Sequence, residues 1–290
     1  MKIYATTRFT VESFEMKERI DTVLKSFDID YTPPGPYIIK GGYIVIDYHL
    51  HLQYEPYFVG NLMKELQFVR EGKGGELEFM FDFQFTDYEM NDSPLFDMYS
   101  IGNIPRRYLT NEGQYNSKIF CQTCEKVYVE KDTPLVINTK TVDQQDFVYV
   151  DSRLVISEKI ACLFKSSKLT GYLLEQVEHY GSKRKRRPAY EVVPTNILTP
   201  QCIPDEYKND PNVKKLNCPA CNTGSHLIFP YHYDQGISKF VEDFNLSFEY
   251  TGNEKSAKRN VLISRKVKDL LTENGYVDEE WIFQPIIIKK

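Results

Sequence analysis

Between residues 76 and 85 the chain reads ELEFMFDFQF, with Leu77, Phe79, Phe81, Phe83 and Phe85 at every second position and Glu78, Asp82 and Gln84 between them. A period of two places those apolar side chains on one face of a pleated strand, so the stretch predicts a half-buried β-strand. YIVIDYHLHL, after Gly41 and Gly42, alternates in the same way and aligns Ile44, Ile46, Tyr48, Leu50 and Leu52. Residues 11–27 behave differently. Val11, Phe14, Ile20, Val23, Leu24 and Phe27 fit one stripe of a helix better than alternation. Pro33, Pro34 and Pro36 forbid its continuation. The first stretch of the chain, residues 1–104, therefore predicts a small α/β unit.

From about residue 105 the pattern repeats itself. LVISEKIACLFKSSKLTGYLLEQV, from 154, aligns with VLISRKVKDLLTENGYVDEEWIFQPI, from 261, when Ser157 is set on Ser264. Ile156 then meets Ile263, Lys159 meets Lys266, Ile160 meets Val267 and Leu163 meets Leu270. Each copy predicts a strand, a serine at the helix N-cap, an amphipathic helix and a returning strand. Serine suits the cap because its hydroxyl accepts a hydrogen bond from an orphan helix N–H. Ile160, Leu163 and Phe164, and likewise Val267, Leu270 and Leu271, take the i, i+3, i+4 positions of a buried stripe. The expected fold class is α+β: an N-terminal α/β unit, then residues 105–290 as a zinc-ribbon-like region with two strand–helix–strand modules.

Composition narrows the function. Of 290 residues 41 are acidic and 36 basic, a formal charge of −5, which gives no global attraction to a phosphate backbone. One basic run stands out, GSKRKRRPAY at 181–190, between the strand-like GYLLEQVEHY and YEVVPTNIL. It reads as the solvated tip of a hairpin bent at Gly181 and Ser182. No run of eighteen apolar residues is present, and the N-terminus lacks the apolar core of a signal peptide. A cytoplasmic protein without membrane attachment is the expectation.

That compartment keeps thiols reduced, which makes metal binding the use of the six cysteines. Cys121 and Cys124 share the C-x2-C spacing of Cys218 and Cys221, and four thiolates in tetrahedral array are the usual structural zinc set. Closing the 93 intervening residues costs about 1.6 kcal/mol more than a fifteen-residue ribbon loop. Zinc binding contributes roughly 10–16 kcal/mol in small peptides, so the separation is no obstacle. Such a site has no open coordination position and supports structure. Cys162, alone on its helix, reads as core, and Cys202 as an additional thiol.

Catalytic signatures are lacking: the chain has no G-x-S-x-G, phosphate-binding glycine loop, H-E-x-x-H or dinucleotide fingerprint. His49 and His51 share a strand face with Asp47, which reads as a polar strand face before it reads as an acid–base cluster. His226 and His232 flank LIFPY near the second cysteine pair and could replace a thiolate; His179 reads as exposed. Glu76, Glu78, Asp82, Asp87, Glu89, Asp92 and Asp97 form either a solvated sheet face or an acidic docking surface for a basic partner.

The two separated C-x2-C pairs, with VLISRKVKDLLTENGYVDEEWIFQPI, resemble the double-CXXCG-motif proteins, immunity-like proteins found beside bacterial polymorphic and contact-dependent toxins. Related immunity families carry a similar strand–Ser–helix–Gly–strand ending, matched here at Leu169, Thr170 and Gly171. The resemblance spans about residues 115–290 and leaves the first hundred outside. It departs at Glu125 and Asn222, which stand where the family has glycine; Asn tolerates a left-handed turn and Glu does so poorly. The resemblance implies a protein that binds and blocks a cognate toxin domain, performs no chemistry, and holds zinc through Cys121, Cys124, Cys218 and Cys221. The alternative is a zinc-ribbon nucleic-acid binder using Lys183, Arg184, Lys185, Arg186 and Arg187.

Overall fold

The computed structural model describes residues 1–32, 35, 37–39, 43–55, 57–70, 77, 80–100, 115–119, 121–123, 127–131, 135–150, 153–209, 218, 220, 230–251, 258–277 and 281–289. Among them it is mixed α and β, in two compact units. Residues 1–86 with 203–209 make the first; residues 87–202 and 230–289, with Cys218, make the second.

The first unit runs β1 (Lys2–Val11), α1 (Phe14–Ser26), β2 (Tyr37–Ile39), β3 (Tyr43–Gln53), α2 (Phe58–Val69), β4 (Met80–Gln84). Its sheet has the order β2-β3-β1-β4 with every neighbour antiparallel, the split β-α-β arrangement. Ile46, Tyr48 and Leu50 of β3 are buried as their alternation requires, against Phe9 and Val11 of β1, Ile20 and Leu24 of α1, and Leu62 and Leu66 of α2. The helical stripe begins later than expected. Ser13 caps α1, its Oγ accepting from the Met16 N–H at 3.1 Å, so Val11 closes β1 instead of opening the helix, and Phe14 is exposed. Alternation in 76–85 yields a strand at Met80–Gln84, with Phe81 and Phe83 turned inward and Met80, Asp82 and Gln84 exposed. Pro33, Pro34, Pro36, Gly41, Gly42, Glu76, Glu78 and Phe79 lie outside the described residues.

The second unit begins with α3 (Asp87–Asp92), β5 (Leu95–Ser100), β6 (Tyr115–Ile119), β7 (Val127–Lys131), β8 (Val136–Ile137), α4 (Thr139–Gln145) and β9 (Phe147–Val150). It continues with β10 (Arg153–Ser157), α5 (Glu158–Ser166), β11 (Tyr172–Gln176), β12 (Glu178–His179), β13 (Ala189–Pro194) and β14 (Asn196–Ile197). It closes with β15 (His232–Asp234), β16 (Phe244–Thr251), β17 (Lys258–Ser264), α6 (Arg265–Glu273), β18 (Trp281–Pro285) and β19 (Ile287–Lys289). Two sheets carry it, β11-β13-β10-β9 and β14-β16-β17-β5-β18. Where the sequence suggests a boundary at 104/105, the units divide after Thr86, because β5 pairs with β17 and β18 and so belongs to the second unit.

The strand–Ser–helix–strand modules are β10-α5-β11 and β17-α6-β18. Ser157 Oγ accepts from the Ile160 N–H at 3.4 Å and Ser264 Oγ from the Val267 N–H at 3.3 Å, which makes each the N-cap of its helix. Ile160, Phe164, Val267 and Leu271 enter one shared core with Phe96, Ile156, Phe244 and Ile263. Cys162, expected in that core, is exposed, because the apolar side of α5 is taken by Ile160, Ala161 and Phe164. Among the described residues no helix is long and apolar enough to cross a membrane.

Candidate metal centre

β6 and β7 form an antiparallel ribbon in which Ile119 faces Val127, and Cys121, Gln122 and Thr123 lie in the connection between them. Gln122 and Thr123 are exposed at the bend, whereas Cys121 is buried. Cys218, 97 positions away, is buried beside it, and the two Sγ atoms lie 3.7 Å apart. A disulfide bond would bring them to about 2.05 Å. Thiolates on a tetrahedral zinc at Zn–S of about 2.3 Å stand about 3.8 Å apart, the edge of that tetrahedron. Two soft sulfur donors at this spacing, out of water, fit a thiolate-bound zinc ion. The structure thus brings together one thiol from each C-x2-C pair. Cys124 and Cys221 lie outside the described residues, as does His226, and among the described residues no group of three metal-competent side chains is assembled.

The remaining candidates are distributed differently. Asp47 pairs with Arg8 at 3.5 Å, while His51 accepts or donates at Thr6 Oγ1 (2.9 Å) and stacks on Tyr4 with ring centroids 4.6 Å apart. His49 is exposed on the same strand face, so the trio divides among separate partners. His232 is buried with Nδ1 2.6 Å from Pro230 O. His179, expected in solvent, is half-buried between Thr139 Oγ1 at 2.9 Å and Ser182 O at 3.0 Å. Of the acidic series, Asp87 and Asp92 are exposed on α3, but Asp97 is buried in β5 and accepts from Asn260 Nδ2 at 2.9 Å. The basic segment is a short 3-10 turn, Lys183–Lys185, with Lys183, Arg184 and Arg186 exposed.

Compared with family models, curated proteins and solved structures, the chain matches none.

Sequence reading missed two features. Each capping serine donates its hydroxyl proton to an aspartate, Ser157 to Asp146 and Ser264 to Asp243, both at 2.7 Å. A lysine closes each group: Lys159 Nζ is 3.1 Å from Asp146, and Lys266 Nζ is 3.5 Å from Asp243. The hydrogen bond Lys159 donates to Asp146 holds its amine above the usual lysine range, so that amine keeps its proton and cannot take one from serine. Both groups are capping devices. The signal available in the sequence was Asp-Phe at 146–147 and again at 243–244. The second feature is a buried polar cluster below β16. Glu249 Oε1 accepts from the Gln201 N–H at 2.8 Å, while Glu249 Oε2 and the Tyr233 hydroxyl are buried with no hydrogen-bond partner among the described residues. Burial pushes the Glu249 carboxyl above the usual carboxylate range, opposed by that backbone N–H. Atoms so placed are ordinarily satisfied by internal water.

Proposed function

We propose that the chain is an immunity-like protein that binds and neutralises a cognate toxin domain, and that Cys121, Cys124, Cys218 and Cys221 hold one structural zinc ion. The observation that carries the metal reading is the 3.7 Å separation of buried Cys121 and Cys218 sulfurs drawn from the two pairs. Four thiolates fill the coordination sphere, so the ion supplies folding energy and no Lewis-acid position. The chain's task is then recognition. The resemblance of residues 115–290 to double-CXXCG proteins names the kind of partner, and a net charge of −5 favours encounter with a basic one at low salt. In the cell such a protein works in the cytoplasm, as a stoichiometric inhibitor with no turnover.

Exposed Lys183, Arg184 and Arg186 favour one second reading, a zinc-ribbon nucleic-acid binder. Its reach is small. Three phosphate contacts give a salt slope of about −2.7 on duplex DNA, against six to ten contacts in ordinary binders. Co-expression with a candidate toxin gene sought beside this one, followed by pull-down, separates the readings. Survival that requires this protein, with a one-to-one complex, supports inhibition. Survival independent of it, with salt-sensitive capture of DNA or RNA, refutes inhibition.

A further inference from the structure

The two modules share more than their outline. The Ser157 N–H donates to Asp146 O at 2.8 Å and the Ser264 N–H to Asp243 O at 2.9 Å. Ile156 faces Phe147, and Ile263 faces Phe244. After the return strands, the Val177 N–H donates to Ala189 O and the Ile286 N–H to Leu95 O, each at 3.0 Å. One residue on, the Glu178 N–H reaches Leu135 O at 2.8 Å and the Ile287 N–H reaches Tyr231 O at 2.9 Å. β12 then runs parallel to β8 as β19 runs parallel to β15.

The same register identifies the strand in the middle of each sheet. Ser157 pairs with Ala189 and Val155 with Glu191; Ser264 pairs with Leu95 and Leu262 with Asp97. β13 and β5 are therefore equivalent, PAYEV against PLFDM, down to the buried carboxylates Glu191 and Asp97. Along the chain Leu95 precedes Cys121 by 26 positions and Ala189 precedes Cys218 by 29, so one repeat reads strand, cysteine pair, module. In space the assignment is crossed. β13, the first strand of the second repeat, completes the sheet of the first module, and β5, the first strand of the first repeat, completes the sheet of the second. Contacts between the halves are reciprocal as well: Trp281 lies on Phe147 at 4.4 Å, and its counterpart Tyr172 lies on Phe244 at 5.1 Å. Reciprocity of this sort is the mark of an isologous dimer, and exchange of one element is a low-cost route to it.

We propose that residues 93–290 are a tethered pseudo-dimer of one repeat, in which the slot in each sheet is a binding surface for the first strand of a second copy. The basic segment 181–188 is then a tether that supplies no strand to either sheet. Its Lys183, Arg184 and Arg186 side chains are exposed, and it is fixed at its far end by Arg187, which pairs with Asp143 at 3.3 Å and donates its N–H to Thr139 Oγ1 at 3.0 Å. The folded assembly survives scission of this tether, because each fragment still fills the other's sheet.

The experiment inserts a thrombin site between Arg184 and Lys185 of the full chain, cleaves the folded protein, and follows the fragments by size-exclusion chromatography with and without a zinc chelator. The expected result is one species at the elution volume of the uncut chain under both conditions, separating only in denaturant. Fragments that part without chelator overturn the proposal. Fragments that part only on chelation also overturn it, since the exchanged strands would then not hold the halves. Metal content of the uncut protein is measured separately, so failure of the zinc reading leaves this test intact. Hydrogen exchange on the unmodified chain gives a second reading: β5 and β13, as central strands, must exchange as slowly as β17 and β10. A fast-exchanging β5 beside a protected β17 contradicts the exchange.

Discussion

Gly171 and Gly275 offer a matched pair of perturbations. Both occupy the left-handed region, at φ +79° and +69°. A Cβ at Gly275 meets nothing within 4 Å, so Gly275→Ala adds only the conformational cost of about 1–2 kcal/mol, less roughly 0.4–1 kcal/mol recovered by restricting the unfolded chain. The net is about 1 kcal/mol. At Gly171 the same Cβ would sit 2.3 Å from Phe244 O and 2.6 Å from Glu242 Cβ. Relieving the clash means parting the main chain of Gly171 from that of β16, which strains Phe244 N–H to Thr170 O at 3.1 Å on one side and Thr195 N–H to Gly171 O at 2.9 Å on the other. Each such bond contributes about 1 kcal/mol, so Gly171→Ala should cost about 3 kcal/mol or more. Trp281, the single tryptophan, sits in β18 of the second unit and reports its unfolding by fluorescence. Urea titrations of the two variants with equal slopes give the difference directly. Losses that agree within about 0.5 kcal/mol would refute the close approach of Gly171 to β16.

Three further perturbations test other parts of the structure. Lys168 takes the left-handed position after α5 (φ +51°) that Gly275 takes after α6, so Lys168→Gly should stabilise by about 0.5–1 kcal/mol in the same titration; destabilisation would count against the equivalence. Cys218→Ser should abolish the stoichiometric zinc found by elemental analysis of protein purified without chelator, and lower Tm; zinc retained at about one per chain would exclude Cys218 as a ligand. Glu249 titrates above its unfolded value, so its contribution to stability is full below the unfolded pKa and is lost as pH rises through the folded one. Glu249→Gln escapes that loss, and its Tm advantage over wild type should grow as pH rises from about 4 to about 8; a constant difference would contradict the burial argument.

Alternation and helical stripes made β3, β4, α1, α5 and α6 legible, because each buries one face and the period records it. β1 was hidden: Thr6 and Thr7 are buried polar residues that blur the alternation, and Val11 joins smoothly to the helical stripe that follows. Asp97 was misplaced for a related reason. A carboxylate in an acidic stretch reads as solvated until Asn260, 163 positions away, is seen to satisfy it. The C-x2-C spacing is local and visible in the sequence, but the approach of Cys121 to Cys218 is a property of the tertiary fold. Crossing of β5 and β13 was the least legible feature, since five residues carry it and only register distinguishes exchange from self-completion.

Strand exchange alters what the metal should do. In a small zinc finger the ion supplies nearly all the folding energy, and removing it unfolds the chain. Here each half is already joined to the other by two crossed strands and by a core shared between both modules. Cys121 and Cys218 meet outside that core, so the effect on stability of the zinc proposed there should fall well short of the roughly 10–16 kcal/mol seen in peptides. Chelation is therefore expected to leave Trp281 fluorescence unchanged and to lower the protection of β10 and β17 only slightly, while amides around 121–123 and at Cys218 exchange much faster. Global loss of protection on chelation would show that the metal, and not the exchanged strands, holds the halves together.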